Sequence, residues 1–213
     1  MHAWVEEISA GGTPVYVAPQ AVMDGVVGFH IHRGVLAAGE RGRIPAPSEL
    51  VTALPNGRRL VVALERLRNH DNVGGVFRNA AAFGVSAVLC DAETCDPPYR
   101  KEIRVSMAGS LRVPFAQGGA ASDIVRALRE RGFRVLALTP ACGARDLTQV
   151  VRDVSARDRV AVLLGEEGPG LSDDALGAAD DHVRINIEPG WDSLNVATAC
   201  GIALHALRSG GPI

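Results

Sequence analysis

The chain has a single lysine, Lys101 in "PYRKEIRVS", and its other basic residues are all arginine. A Walker A loop must end in Gly-Lys-Ser/Thr, which occurs nowhere here, so P-loop chemistry is excluded. Pyridoxal imine chemistry would depend on that same lysine and is disfavoured. Long apolar runs are also missing: none approaches the roughly 18 uncharged residues of a membrane helix. The start, "MHAWVEEISA", carries acids where a secretory signal carries basic residues, and a cytosolic protein is expected. The four cysteines, Cys90, Cys95, Cys142 and Cys200, form no C-x-x-C pair. A chain with this much core needs no disulfide staples, so they read as small buried hydrophobes. Of six histidines only His30 and His32 lie close together, with no third ligand at a useful spacing, and no metal is expected. The formal net charge of −2 argues against a uniformly basic nucleic-acid binder but leaves room for a local patch.

What is present is a chain of 213 residues, 47 % hydrophobic, enough for one good-sized domain or a domain with a small appendage. From residue 58 onward, β-branched runs alternate with helical stretches. Strands are predicted over 58–65, 86–90, 133–139, 158–165 and 181–187, and helices over 73–83, 100–109, 121–132, 172–179 and 193–208. Nearly continuous apolar strands, each followed by a helix, predict an α/β fold with a mostly parallel sheet flanked by helices. Residues 1–45 differ, with two strand-like runs and one helical turn. They are small for an independent core and read as an N-terminal extension, followed by a proline-containing linker over 46–57 and the main domain over 58–213.

Three stretches of the main domain stand out. In "NHDNVGGVFRNAAAFGV", Asn72 reads as an N-cap, and Gly74 with Gly75 allows close approach to the first helical turn. Arg78 follows among small residues, either aimed at a ligand or partner or simply a surface arginine on a capped helix. In "VLLGEEGPGLSDD", an apolar strand ends at Gly165, the chain turns through Gly168 and Gly170, and Ser172 caps a short helix. Loops at strand ends of a parallel sheet are ligand sites, although Glu167 between the glycines also suits a plain exposed turn. In "NIEPGWDSLNVATACGIALHAL", a strand, a Pro-Gly turn and Ser193 open the last helix, with Asn195 beside the same helix mouth. A serine-hydrolase triad fails because no G-x-S-x-G surrounds Ser193, and a dinucleotide site fails because no G-x-G-x-x-G is present.

Taken together and in this order, the three stretches resemble the SpoU/TrmH family of RNA ribose 2′-O-methyltransferases. The matching positions are Asn72, Gly74, Arg78 and Ala80; then Gly165, Glu167 and Gly170; then Ser193, Leu194 and Asn195. The resemblance covers about residues 58 to 208. "GFHIHRGVLAAGERG" is similar to the tail of the small RNA-binding domain that often precedes such catalytic domains. The resemblance implies a C-terminal trefoil knot (SPOUT-like), S-adenosyl-L-methionine as cofactor, an RNA substrate (rRNA or tRNA) and a homodimer. It also implies cofactor contacts at Leu164, Gly165, Glu167, Gly168, Ile185, Ile187 and Leu194. The catalytic set it implies is Arg78, Asn72, Glu167, Ser193 and Asn195. RNA contacts are expected from the local arginines Arg33, Arg58, Arg59, Arg100, Arg104 and Arg112, which read equally as solvated surface charge. The rivals are a catalytically silent RNA binder of the same fold and a nicotinamide-dependent oxidoreductase.

Overall fold

The apolar runs become the centre of one sheet. In the computed structural model, which describes residues 3–32, 34–57, 59–154 and 158–208, they form β1 (Arg59–Leu64), β2 (Ala87–Cys90), β4 (Phe133–Leu138), β6 (Arg159–Leu164) and β7 (Asp181–Arg184). Two short strands join them, β3 (Phe115–Gln117) and β5 (Arg145–Asp146), giving the order β3-β2-β1-β6-β4-β7-β5 with every pairing parallel. The expected parallel α/β architecture is therefore present. Alternation along the strands divides the core. Leu60, Val62, Leu64, Val160, Val162 and Leu164 face one side, towards α4 (His70–Phe83) and α9 (Val196–Arg208). Val61, Ala63, Val135, Ala137, Ala161 and Leu163 face the other, towards α6 (Ala121–Glu130). Burying one valine or leucine is worth about 1.5–3 kcal/mol, so strands covered on both faces dominate the stability of the domain.

Two helices of the main unit are also unexpected. The helix α3 (Pro47–Ala53) lies in the stretch expected to be a linker, yet Val51 is 1 % and Leu54 6 % exposed, both within the second core cluster. Pro47 stands in its first turn, where a missing N–H costs nothing. The chain divides instead at Met1–Gly42 and Arg43–Ile213, so residues 46–57 belong to the main unit. The other is α7 (Leu147–Asp153), started by Asp146, whose carboxylate accepts the Thr148 N–H.

The first unit, taken by itself, contains α1 (Ala3–Ala10) and α2 (Gln20–Val27). The strand-like runs expected there form no strand among the described residues. Instead Asp24 ties the end of α2 to the chain beyond it, accepting the Ile31 N–H at 3.0 Å and the Gln20 amide at 2.7 Å and bonding His30 Nδ1 at 2.8 Å. These bonds, led by the Ile31 amide, hold the Asp24 carboxyl down at about 2. No described helix is long and apolar enough to cross a membrane.

An ion-pair network joins the three strands at the β5 edge. Asp181 on β7 receives Arg134 of β4 at 2.6 and 3.0 Å and Arg145 of β5 at 2.9 Å, and its side chain is 11 % exposed. The Arg134 bond, opposed by burial and reinforced by Arg145, holds the Asp181 carboxyl below the usual range. A depressed carboxyl stabilises the fold above its unfolded pKa, near 3.9, and that contribution is lost as pH falls through the folded value. Asp181→Asn is expected to cost about 1–3 kcal/mol near neutral pH and to blunt the loss of stability in acid. Urea melts of both proteins at neutral and acidic pH check this; parallel curves at both would refute it.

Candidate functional site

The sheet reverses its strand order between β1 and β6, and the loops leaving the C-terminal ends of these two strands flank the reversal. Each loop is fixed from beneath. Glu65, 5 % exposed, accepts the Ser172 N–H at 2.8 Å and its hydroxyl at 2.6 Å, while Ser172 caps α8 (Asp173–Ala178) by accepting the Ala175 N–H. Arg66, at a φ of 56°, donates its N–H to both carboxylate oxygens of Asp91 and its Nη2 to the Gly170 carbonyl. Asp91 is held in turn by the Thr94 N–H and hydroxyl, at 2.8 and 2.7 Å. At Gly165 the loop doubles back so tightly that a Cβ would lie 2.5 Å from the backbone of Gly170 and Leu171. Only glycine fits there.

The three stretches singled out in the sequence meet at Asn195. Its Nδ2 donates to Asn72 Oδ1 at 2.8 Å and to Glu167 Oε1 at 3.2 Å. Its Oδ1 accepts the N–H groups of Ala197 and Thr198, at 3.0 and 3.2 Å. Asn195 is therefore the cap of α9, and Ser193, expected to open that helix, lies exposed before it. Ser193 makes no hydrogen bond with the described residues. Asn72 is not a cap either: Asn69 has that role, accepting the Asp71 N–H at 2.9 Å, and Asn72 is buried within the first helical turns. A cleft of about 430 Å³, within the range of small-molecule sites, is lined by Leu67, Arg68, Asn69, Asn72, Glu166, Glu167 and Val196. Arg68 at its rim is ion-paired with Glu93 and Glu166.

Other expectations are redistributed. Gly74 and Gly75 admit the protein itself: their Cβ atoms would meet Val105 and Ala197, each at 2.7 Å, so these glycines set how closely α5 (Arg100–Val105) and α9 pack on α4. Asn79, absent from the expected set, fastens the α9 contact by donating to the Ala197 carbonyl at 2.7 Å. Leu164 is 2 % exposed and its carbonyl accepts the Glu65 N–H, so it anchors its loop from the core. Gly168 lies at the open tip of that loop, Ile185 and Ile187 are half-buried just after β7, and Leu194 is 37 % exposed. β4 lies between β6 and β7, which places Thr139–Gly143 among the same loops, a segment without a distinctive motif.

Arg78 is exposed on α4, has no ion-pair partner among the described residues and lies outside the cleft lining. The 3-10 turn Gly109–Leu111 presses on the backbone beside it, since a Cβ on Gly109 would sit 2.7 Å from the Phe77 carbonyl. Met107 and Ala108, just before that turn, take φ values of 52° and 62°, which ends the helix expected over 100–109 at Val105. Arg100, Arg104 and Arg112 are exposed on this adjoining segment. Arg59 is half-buried at the start of β1, the sheet edge opposite the loops, and Arg33 and Arg58 lie outside the described residues. Burial raises the Cys90 thiol and lifts that of Cys200 to about 12, as expected for core cysteines, while Cys142 is exposed.

Comparison with known proteins agrees with this arrangement. Residues 59–205 match the model of the SpoU rRNA Methylase family. A protein of Mycobacterium tuberculosis named an uncharacterized tRNA/rRNA methyltransferase is 43 % identical over 97 % of this chain and 70 % of its own. The AdoMet-bound rRNA methyltransferase from Sinorhizobium meliloti superposes with a TM-score of 0.70 at 29 % identity, covering 79 % of this chain and 62 % of that one. An RNA 2′-O ribose methyltransferase superposes with a TM-score of 0.61 at 25 % identity, over 85 % and 62 % of the two chains. This chain thus spans somewhat under two thirds of these two solved relatives. With a family match over the whole sheet, and the three stretches joined through one asparagine, the chain belongs to the SpoU rRNA methylase family.

Proposed function

We propose that this chain transfers a methyl group from S-adenosylmethionine to a ribose 2′-hydroxyl of structured RNA, ribosomal or transfer. The observation that carries the reading is the Asn72–Asn195–Glu167 junction, which draws three separate segments to one cleft, with Arg78, on the same helix as Asn72, having no ion-pair partner among the described residues. The cofactor is S-adenosylmethionine, and when bound it supplies a methyl group on a sulfonium that departs as a neutral thioether. The loops after β4, β6 and β7 fit such a group. They leave neighbouring strands at one sheet edge, and Gly143, Gly168 and Gly190 have open space around their Cβ positions. In this reading backbone groups of these loops hold the cofactor, with Gly165, Glu167, Gly168, Ile185, Ile187 and Leu194 among the contacts. The return of α9, after β7, to pack against α4 supports a trefoil threading there.

The protein must hold the 2′-oxygen in line with the methyl group and stabilise the negative charge that grows on it. A guanidinium stays protonated in water, so Arg78 is assigned to the neighbouring phosphate and the nascent alkoxide, not to proton abstraction. The hydroxyl proton leaves to water. Asn72 and Asn195 fix the pocket wall and Glu167 orders the cofactor loop, with Ser193 on the adjoining loop. A homodimer would bring a second copy's surface to Arg78, and residues 1–45 would serve as an accessory RNA contact.

Incubating the purified chain with labelled S-adenosylmethionine and RNA from cells lacking the protein tests the reading, followed by mapping of the 2′-O-methyl sites restored. Label on a base, or none at all, would reject ribose methylation; RNA retention without label would favour the silent binder. RNA affinity is expected to fall steeply with salt, with a log–log slope near −0.7 to −0.9 per phosphate neutralised. Arg104→Ala and Arg112→Ala should each make that slope shallower by about one phosphate's worth, read by filter binding across a salt series. An unchanged slope would remove them from the interface.

A further inference from the structure

Next to the cleft-lining Asn69, His70 meets two side chains distant in sequence. His70 opens α4, Cys95 lies in the loop after β2, and Glu102 is on α5. His70 Nδ1, Cys95 Sγ and a Glu102 carboxylate oxygen all lie within 4.8 Å of one another. Glu102 Oε1 is shared, hydrogen-bonded to His70 Nδ1 and accepting from Cys95 Sγ at 3.3 Å. Glu102 is 0 % exposed, and its other oxygen, Oε2, is buried without any hydrogen-bond partner. A carboxylate with one oxygen orphaned and the other held by an imidazole and a weak thiol donor is poorly compensated for its burial. The chain's single lysine, Lys101, adjoins Glu102 in sequence but pairs with Asp71 at 2.7 Å.

A divalent cation would meet that deficit. Imidazole nitrogen, thiolate sulfur and carboxylate oxygen are the donors zinc takes, whereas magnesium and calcium favour oxygen alone. On binding, the ion would displace the Cys95 S–H proton to solvent, and the three donors would then carry a charge of −2 that matches it. His70 stacks on Tyr99 at 4.7 Å and its side chain is 37 % exposed, so solvent reaches the cluster from the His70 side. We infer that His70, Cys95 and Glu102 form a binding site for a zinc-class divalent cation. Bound there, the ion would clamp the start of α4, the β2 loop and α5 together. His70 adjoins Asn69 and is two residues from Asn72, so the clamp sets the wall of the cleft without entering it.

Cobalt titration of the full chain, stripped with chelator, tests the site. One Co²⁺ per chain is expected, with a thiolate-to-cobalt charge-transfer band and intense visible bands of four-coordinate geometry, both bleached by added Zn²⁺. Cys95→Ser, nearly isosteric, should erase the charge-transfer band while circular dichroism stays native. His30→Ala with His32→Ala should leave it unchanged. Glu102→Gln should weaken binding by more than the roughly 10–100-fold that loss of a supporting group causes. A folded protein that shows no thiolate band in excess cobalt would overturn the site. So would a band that survives Cys95→Ser, or cobalt uptake abolished by the His30 and His32 changes.

Discussion

Arg78→Ala is expected to lower the methyl-transfer rate by at least about 10²–10³-fold, the usual cost of removing one donor that stabilises transition-state charge. S-adenosylmethionine affinity should stay within a few-fold. The fold should be indifferent, because Arg78 is exposed, pairs with no described residue and sits inside a helix, where alanine is the better former. Single-turnover kinetics beside calorimetric titration of the cofactor separates these outcomes. Equal losses of affinity and rate would make Arg78 a structural residue, and full activity would end its assignment.

Gly165→Ala should produce the opposite pattern, with cofactor affinity lost first. The added methyl would lie 2.5 Å from the Gly170 carbon and the Leu171 nitrogen and 2.8 Å from the Gly170 oxygen. These are backbone atoms, so no side chain can swing aside. The whole turn from Glu166 to Gly170 must shift, against the bridge that joins its two ends. Overpacking of this kind costs about 1–3 kcal/mol, and at least about tenfold in cofactor binding is expected to follow. Gly168→Ala is the control: its φ is 88° but nothing lies within 4 Å, so it carries only the left-handed strain of about 1–2 kcal/mol. Thermal melts and cofactor titrations of both variants decide. A Gly165→Ala protein that binds cofactor as tightly as the parent would remove the β6 loop from the site.

The contrast between these two positions also marks what could be read from the residues alone. Strands such as "RLVVAL" and "RVAVLL" were legible because both faces are buried and the apolar run is unbroken. "FAQ" and "RD" were not, since strands of three and two residues carry no periodicity and exist only by pairing with β2 and β7. The helix caps were ambiguous in the residues themselves. "RNHDN" offers two asparagines able to cap, and packing decides that Asn69 caps while Asn72 is buried. "DSLN" likewise offers several caps, and the last of them takes the helix. The cation cluster was invisible because His70, Cys95 and Glu102 are spaced 25 and 7 positions apart, unlike any short ligand motif, and only the packing of α4 on α5 brings them together.

The Asn195 side chain has two N–H bonds to give and two lone pairs to fill, and here all four are taken. Conversion of that amide to an acid, the ordinary ageing reaction of asparagine, would leave the helix start satisfied. It would delete both donated bonds and set one carboxylate facing another at Glu167. A single-atom exchange would thus cut the tie among the three segments while leaving the cap of α9 in place, so ageing of one side chain loosens this junction without unwinding the helix.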